Sequence, residues 1–264
     1  MGAARSTRNM PKQDSSTASV PALGHQACQV WWARPADVRP ALDRLLDHAE
    51  LDRRQRLVNS DDRDRLTVGA ALTRLVLARH LDRSADQLRL DRTCLDCGRQ
   101  HGRPRLPAGD DGGGVRFSVS HSGDWIAVAV VRDALVGVDV ERVSPGLEVD
   151  GVAAQALAED EREALDRLPP WDRRRGLLAY WTRKEALLKA TGDGLRVPMN
   201  LVVVSGPDEP PVLRRWSGPS ELPTPVVLHT LRRPAGHVAS LAVLGLPSVQ
   251  VRELDATRLL AAPP

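Results

Sequence analysis

Three acidic residues and one lysine in the second half of the chain have the types and the spacing of a catalytic site. Glu185 and Lys189 stand four residues apart, so in a helix they share a face with Trp181. Upstream, Asp139 and Glu141 alternate with valines, so in a strand both carboxylates project from one face. Neighbouring carboxylates repel unless a cation lies between them. Oxygen ligands of this kind suit Mg²⁺, which also takes phosphate oxygens.

Lysine is so scarce in this arginine-rich chain that its positions are informative. Only Lys12, Lys184 and Lys189 occur. Arginine supplies charge equally well on a solvated surface, so a retained ammonium indicates that a compact, rotatable donor is needed. The alternatives are that two lysines survive by chance on an exposed helix, and that the acidic strand is an ordinary amphipathic strand with a wet side. The residues alone leave these alternatives open.

Composition limits the class of protein. The 264 residues carry a net charge of +3 and a pI near 9.0, with 42% hydrophobic and 27% charged residues. This is typical of a globular protein of one large or two small domains, with no apolar run of membrane-spanning length. No secretory signal precedes it, and three cysteines cannot all pair, so we expect a cytoplasmic protein without membrane contact.

The arginines cluster at residues 53–56 and 61–65, which favours an acidic partner. Aromatic residues make up only 3% of the chain, which leaves little material for stacking on bases. We therefore expect a phosphorylated small molecule or an acidic protein rather than nucleic acid.

The elements that must position these residues follow from periodicity and from turn residues. Residues 1–23 lack periodicity and predict a disordered leader. The predicted strands cover residues 29–32, 117–120, 125–131, 135–143 and several runs after 203, with the second, third and fourth forming a meander. The predicted helices cover residues 40–50, 65–81, 152–168 and 171–190, and the last begins after a double proline and ends at Gly192.

A helix followed by an apolar strand occurs twice, which suggests two similar halves, 24–134 and 135–264. No proline-rich linker separates them, so we expect them to pack together with the site in the cleft between them.

Two further motifs lie in the first half. Ser120 and His121 end a predicted strand beside a turn at Gly123, where a histidine is more often structural than functional. Cys94 and Cys97, with His101, have part of the spacing of a zinc site, but no convincing fourth ligand is nearby. A loop of unpaired thiols is the competing interpretation.

The runs FSVSHS, GVDVE and WTRKEALLK, in this order and at these separations, resemble the 4′-phosphopantetheinyl transferases of the two-half, surfactin-synthetase (Sfp) type, in the branch that carries WxxKEA. The resemblance covers about residues 53–195. It implies an α+β fold of two similar halves related by a pseudo-twofold axis, each a small, mostly antiparallel sheet packed against a long helix. The active site would lie at their interface.

The resemblance also implies roles for individual residues. The magnesium site would comprise Asp139, Glu141 and Glu185, with Mn²⁺ as an alternative ion, and Lys189 would bind the pyrophosphate of coenzyme A. Ser120 and His121 would contact the 3′-phosphate. The segment Gly102, Arg103 and Pro104 would lie beside the adenosine, and Arg53 and Arg65 would supply further phosphate contacts.

The implied activity is transfer of 4′-phosphopantetheine from coenzyme A to a serine of an apo acyl or peptidyl carrier protein by a monomeric enzyme. The product would be 3′,5′-adenosine diphosphate, and Glu185 would be the base or only a metal ligand. One rival is a metal-dependent nuclease, disfavoured because Glu185 and Lys189 are spaced for a helix rather than for a strand. A second is a non-catalytic carrier-protein adaptor, which would be expected to lose acids from the metal set.

Overall fold

The computed structural model describes residues 20–94, 97–100, 102–107, 109–110, 112–219, 221–232 and 235–262. Residues 1–19 of the expected leader lie outside the described residues. Val20 and Leu23 pack against the first hydrophobic cluster, and Gln29 Nε2 donates to the carbonyl of Pro21 at 2.8 Å. Ordered packing therefore begins before residue 24.

The described elements are nine strands and six α-helices, joined in places by short 3₁₀ turns. The strands are β1 (Ala27–Ala33), β2 (Val115–Ser122), β3 (Trp125–Arg132), β4 (Leu135–Arg142), β5 (Val202–Val204), β6 (Leu213–Trp216), β7 (Val226–Thr230), β8 (His237–Leu244) and β9 (Gln250–Asp255). The helices are α1 (His48–Arg56), α2 (Ser60–Leu81), α3 (Val149–Ala156), α4 (Glu159–Asp166), α5 (Pro170–Thr191) and α6 (Thr257–Ala261).

The predicted α+β fold of two similar halves is confirmed. The first sheet has the order β2-β3-β1-β9 and the second β4-β8-β7, so in each half a hairpin returns to pair with the strand that precedes the helices. One 22-residue helix packs on each sheet, α2 on the first and α5 on the second. A third cluster is shared by strands of both sheets and joins the halves.

Three local predictions were wrong. β4 does not continue the β2–β3 hairpin as a meander but pairs with β8 of the other sheet. The predicted helix 40–50 is a 3₁₀ segment (Pro40–Leu45) followed by α1, because Asp47 caps a new helix by accepting from the Glu50 amide at 2.9 Å. The predicted helix 152–168 is likewise split into α3 and α4, where Glu161 caps the second by accepting from the Ala158 amide.

The end of the chain departs from the expected division into halves. β9 adds in parallel to β1 of the first sheet, and Leu259 and Leu260 of α6 join the first hydrophobic cluster. Residues 250–261 therefore complete the first half, although they follow the second in sequence.

Candidate active site

The site is formed where helix α5 lies directly on strand β4. A Cβ atom built on Gly137 would be 1.9 Å from the carbonyl oxygen of Ala186 and 2.5 Å from the amide nitrogen of Ala190. Only glycine permits so close a backbone approach. Because α5 rests on β4 at this point, its half-buried Glu185 and Lys189 lie beside the carboxylates that β4 projects.

Asp139 is the most buried of these carboxylates, with 2% of its surface exposed. Its Oδ1 accepts from Lys189 Nζ at 2.6 Å and from the hydroxyl of Ser120 at 2.8 Å. Its Oδ2 is buried and has no hydrogen-bond partner within the described part of the chain. Burial raises the pKa of Asp139, although Lys189 and Ser120 oppose the shift. An unsatisfied carboxylate oxygen in this setting is costly unless a cation reaches it.

Glu141 and Glu185 complete an acidic cluster with Asp139. Burial raises the pKa of both, and the charge of Asp139 raises each further. Oε2 of Glu141 accepts from the Ser122 hydroxyl at 2.8 Å. The charge of Asp139 therefore disfavours the ionised forms of both glutamates, and that of Glu185 does the same for Glu141.

The acidic cluster suits Mg²⁺ in its chemistry, but it is not a closed metal cage. No three carboxylate, histidine or cysteine side chains among the described residues converge closely enough to hold an ion by themselves. Mg²⁺ is usually held by one or two protein carboxylates, with water and substrate phosphates filling its other positions. The unpartnered Oδ2 of Asp139 and the mutual repulsion of the cluster fit such a partly built site. Mn²⁺ accepts the same oxygen ligands.

Strands β2 and β4 belong to different sheets but are linked by serine side chains. Alternate residues of β2 direct hydroxyl groups toward β4: Ser118 Oγ accepts from the Val138 amide at 3.1 Å, Ser120 Oγ from the Val140 amide at 3.3 Å, and Ser122 Oγ from the Arg142 amide at 3.1 Å. We call these three residues the serine ladder. The hydroxyl of Ser120 therefore faces Asp139 and Lys189, not the side of β2 that carries His121.

His121 lies on the opposite side of β2, the side that packs toward α2. His121 is partly exposed, but the protein atoms around its ring exclude water and so lower its pKa. The positive charges of Arg65, Lys189 and Arg53 lower the pKa further. The structure thus brings His121 within the electrostatic range of Arg53, Arg65 and Lys189. The positive charge of the arginines and the lysine around His121 attracts an anion.

Arg103 makes its contacts with the protein backbone around the site. Its guanidinium is largely buried and donates to the carbonyl oxygens of Phe117 on β2 and Val136 on β4, each at 3.0 Å. It also donates to the carbonyls of Lys189 and Ala190 near the end of α5. Burial lowers the pKa of Arg103 to about 10. Arg103 thus ties three elements around the site together, and its donors face protein carbonyls.

Gly102 and Pro104 flank Arg103 in the chain. A Cβ on Gly102 would lie 2.9 Å from the Thr93 carbonyl and 3.0 Å from the Arg92 carbonyl, so this segment packs closely on the preceding loop. No contact of Pro104 distinguishes it.

Lys184, the other lysine of α5, has a structural role. It is fully buried, and its ammonium donates to the carbonyls of Ala156 at 2.8 Å and Met199 at 3.1 Å and forms an ion pair with Glu161. A rotatable donor is indeed needed here, because three acceptors surround one nitrogen. Of the two lysines of α5, it is Lys189 that faces the acidic cluster.

The cysteine motif yields no metal site in the described residues. Cys94 is half-buried and Cys97 is exposed, and His101 lies outside the described residues. Cys28 is buried on β1, and burial raises its pKa to about 12, which leaves the thiol inert at neutral pH.

None of the described helices has both the length and the hydropathy that are needed to cross a membrane.

Comparison with known proteins places both halves in one family. Residues 135–242 match the family described as "4'-phosphopantetheinyl transferase superfamily", and residues 29–132 match "4'-phosphopantetheinyl transferase, N-terminal".

Individual relatives agree with the family matches. The chain is 30% identical over 175 residues to the 4′-phosphopantetheinyl transferase HetI of Nostoc sp., covering 65% of this chain and 71% of that protein. It is 31% identical over 180 residues to a putative 4′-phosphopantetheinyl transferase of Synechocystis sp., covering 67% and 69%. It is 27% identical over 154 residues to the 4′-phosphopantetheinyl transferase Sfp of Bacillus subtilis, covering 55% and 60%. With matches across both halves, the chain belongs to the 4′-phosphopantetheinyl transferase superfamily.

Proposed function

We propose that the acidic cluster and the basic groups beside it transfer 4′-phosphopantetheine from coenzyme A to the hydroxyl of a serine in an apo acyl or peptidyl carrier protein. The observation that carries this proposal is the position of Lys189. Its ammonium donates to the buried Asp139, and its charge also lowers the pKa of His121. Lys189 therefore lies between the acidic cluster, which attracts a cation, and the basic residues around His121, which attract an anion.

The anionic parts of coenzyme A have separate partners in this arrangement. His121, Arg53 and Arg65 would receive the 3′-phosphate, which offsets the mutual repulsion of these basic groups. Lys189 would receive the pyrophosphate at the boundary with the acidic cluster. Ser120 contributes by orienting Asp139 and Lys189 through its hydroxyl. Arg103 contributes by donating to carbonyls of α5, β2 and β4, which holds these three elements together beside the acidic cluster.

The divalent cation is Mg²⁺ in this proposal, held by Asp139 with Glu141 and Glu185. When bound, it neutralises charge on the pyrophosphate and on the departing phosphate. Coenzyme A would complete its coordination, which agrees with the incomplete protein cage.

The transfer balances with these groups alone. The carrier serine oxygen forms a bond to the β-phosphorus, the bond from that phosphorus to the bridging oxygen breaks, and 3′,5′-adenosine diphosphate leaves with its charge stabilised by Lys189. The serine proton passes to a base. Burial and the charge of Asp139 raise the pKa of Glu185, which brings it nearer to neutral pH and suits it to accept a proton. A role as metal ligand alone is the alternative.

The carrier would approach through an acidic surface. Arg53, Arg56 and Arg63 are exposed on α1 and the start of α2, and Arg53 is also one of the basic residues around His121. Attraction between such surfaces acts mainly on the encounter rate and is screened by salt. We expect the KM for the carrier to rise with ionic strength more steeply than the KM for coenzyme A. A KM for the carrier that does not change with ionic strength would indicate apolar recognition.

We further propose that the enzyme works as a cytoplasmic monomer.

The experiment incubates the protein with coenzyme A, Mg²⁺ and a panel of apo carrier proteins, and measures carrier mass. The expected result is the addition of one phosphopantetheine, equimolar release of 3′,5′-adenosine diphosphate, and loss of both with a chelator. Binding of carrier and coenzyme A without any mass change would contradict the proposal and would favour an adaptor.

A further inference from the structure

The serine ladder offers an internal comparison, because its three members make the same contact with β4 and differ in a second one. All three hydroxyl oxygens accept a β4 amide. Ser120 also donates to Asp139, and Ser122 also donates to Glu141. No carboxylate contact is described for Ser118. The two serines with a second contact are therefore those that face the acidic cluster.

A hydroxyl has one proton to donate and lone pairs to accept with. In Ser122 the Arg142 amide uses a lone pair at 3.1 Å, and the proton is directed to Glu141 Oε2 at 2.8 Å. The oxygen of Ser122 is thus fixed to the backbone of β4, one residue beyond the glutamate that it contacts. Ser122 of β2 thus links the side chain of Glu141 to the backbone of β4, the strand that carries Glu141.

The backbone of Ser122 is held as well. His237, buried at the start of β8, places Nε2 3.1 Å from the Ser122 carbonyl oxygen. Ser122 is also paired with Trp125 at the end of the β2–β3 hairpin. A donor anchored on both sides can hold a flexible partner in one rotamer, so the glutamate side chain loses less rotamer freedom when it binds an ion.

We propose that Ser122 is a positioning residue that orients Glu141 toward the divalent cation and the pyrophosphate of coenzyme A. The proposal rests on the proposed function, because it takes Glu141 as part of the cation site. Residues that hold a metal ligand in this way typically contribute 10–100-fold to metal affinity. Ser118 supplies the same structural contact without that role.

The test compares Ser122→Ala with its matched control Ser118→Ala. Each variant leaves one β4 amide without its acceptor, so both should lower the metal-free unfolding midpoint to a similar degree. Calorimetric titration of Mg²⁺ into protein saturated with coenzyme A should separate them. We expect the Kd for Mg²⁺ to rise about tenfold in Ser122→Ala and to stay within about twofold of wild type in Ser118→Ala. Ser122→Thr, which keeps the hydroxyl, should recover most of the affinity.

Equal Mg²⁺ affinities in the two alanine variants would overturn the proposal, as would a wild-type protein that binds no Mg²⁺ with coenzyme A. The proposed function is assessed separately by carrier mass. A tenfold weaker Mg²⁺ affinity in Ser122→Ala, together with wild-type protein that leaves every carrier unmodified, would support the positioning role and contradict the transfer.

Discussion

The two halves of the molecule are built around the same kind of buried ion pair. Arg74 and Lys184 each occupy the fifteenth position of a 22-residue helix, and each is fully buried. Each pairs with a glutamate at the third position of another helix, Arg74 with Glu50 at 2.8 Å and Lys184 with Glu161. Both glutamates also accept an amide that begins their own helix. The halves therefore share a buried structural centre that lies apart from the acidic cluster.

They differ where the long helix meets the first strand of its half. In the second half this contact holds Asp139, Glu185 and Lys189. In the first half, Gln29 Oε1 accepts from Trp31 Nε1 at 3.1 Å and lies 3.3 Å from His80 Nε2. Burial and the charge of Arg132 lower the pKa of His80 to about 4, so this contact is neutral near pH 7. Of these two helix–strand contacts, the one in the second half gathers carboxylates, where the charge of Asp139 raises the pKa of Glu141 and Glu185, and it is the one that we propose performs the reaction.

The largest stability effects should come from the shared structural centre. Lys184→Met leaves the buried Glu161 without its cation, so we expect it to lose about 3–5 kcal/mol in free energy of unfolding, measured by urea denaturation. Arg74→Met removes the nearer of two cations from Glu50, which keeps Arg92 at 3.3 Å, so we expect a smaller loss. Replacing both partners, as in Lys184→Met with Glu161→Leu, should cost less than Lys184→Met alone. A loss below about 1 kcal/mol in Lys184→Met would show that this ion pair does not support the second half.

Glycines at the helix–strand contacts should respond in opposite directions. Gly137→Ala forces a Cβ onto the backbone of α5 and should cost at least about 1–3 kcal/mol, as overpacked sites do. In the first half, a Cβ on Gly69 of α2 would meet only Ile126 Cγ2, at the ordinary distance of 3.7 Å. Gly69→Ala should therefore stabilise the protein by up to about 1 kcal/mol, since alanine favours a helix. Thermal unfolding midpoints that move in the same direction would contradict this contrast.

The smallest effect concerns the neutral contact of the first half. The pKa of His80 is about 4 in the folded protein and ordinarily 6.5, so between these values the unfolded chain binds a proton that the folded protein does not. This contribution to stability is complete above pH 6.5 and is lost as the pH falls toward 4. His80→Gln should flatten the dependence of unfolding free energy on pH in that window. Parallel curves for the variant and wild type would contradict the pKa shift.

Local patterns in the sequence predicted much of the site. Alternation along β4 indicated that Asp139 and Glu141 share a face, and the spacing of four on α5 indicated the same for Glu185 and Lys189. These are properties of single elements, and their period does not depend on the rest of the fold.

Pairing between distant elements could not be predicted in this way. The departure of β4 from the hairpin depends on its partner β8, about 100 residues away. Lys184 and Lys189 have the same type and lie on one helix, and only the position of Glu161 makes the first structural. The carbonyls around Arg103 come from three separate segments, so its spacing carries no signal of its role. The alternating serines of β2 were a visible signal for Ser122 that becomes interpretable only beside β4.

The most direct test of the account is Glu185→Gln. Burial and Asp139 raise the pKa of Glu185, so its ionised form opposes folding, and the stability it contributes at low pH is lost as the pH rises through the raised pKa. At pH 8 the metal-free glutamine variant should therefore be at least as stable as wild type. Its rate of phosphopantetheine transfer, measured by carrier mass with saturating coenzyme A and Mg²⁺, should fall at least about 100-fold, or roughly 2.7 kcal/mol of transition-state stabilisation. A folded variant that transfers within about threefold of the wild-type rate would contradict the assignment of the chemistry to this contact.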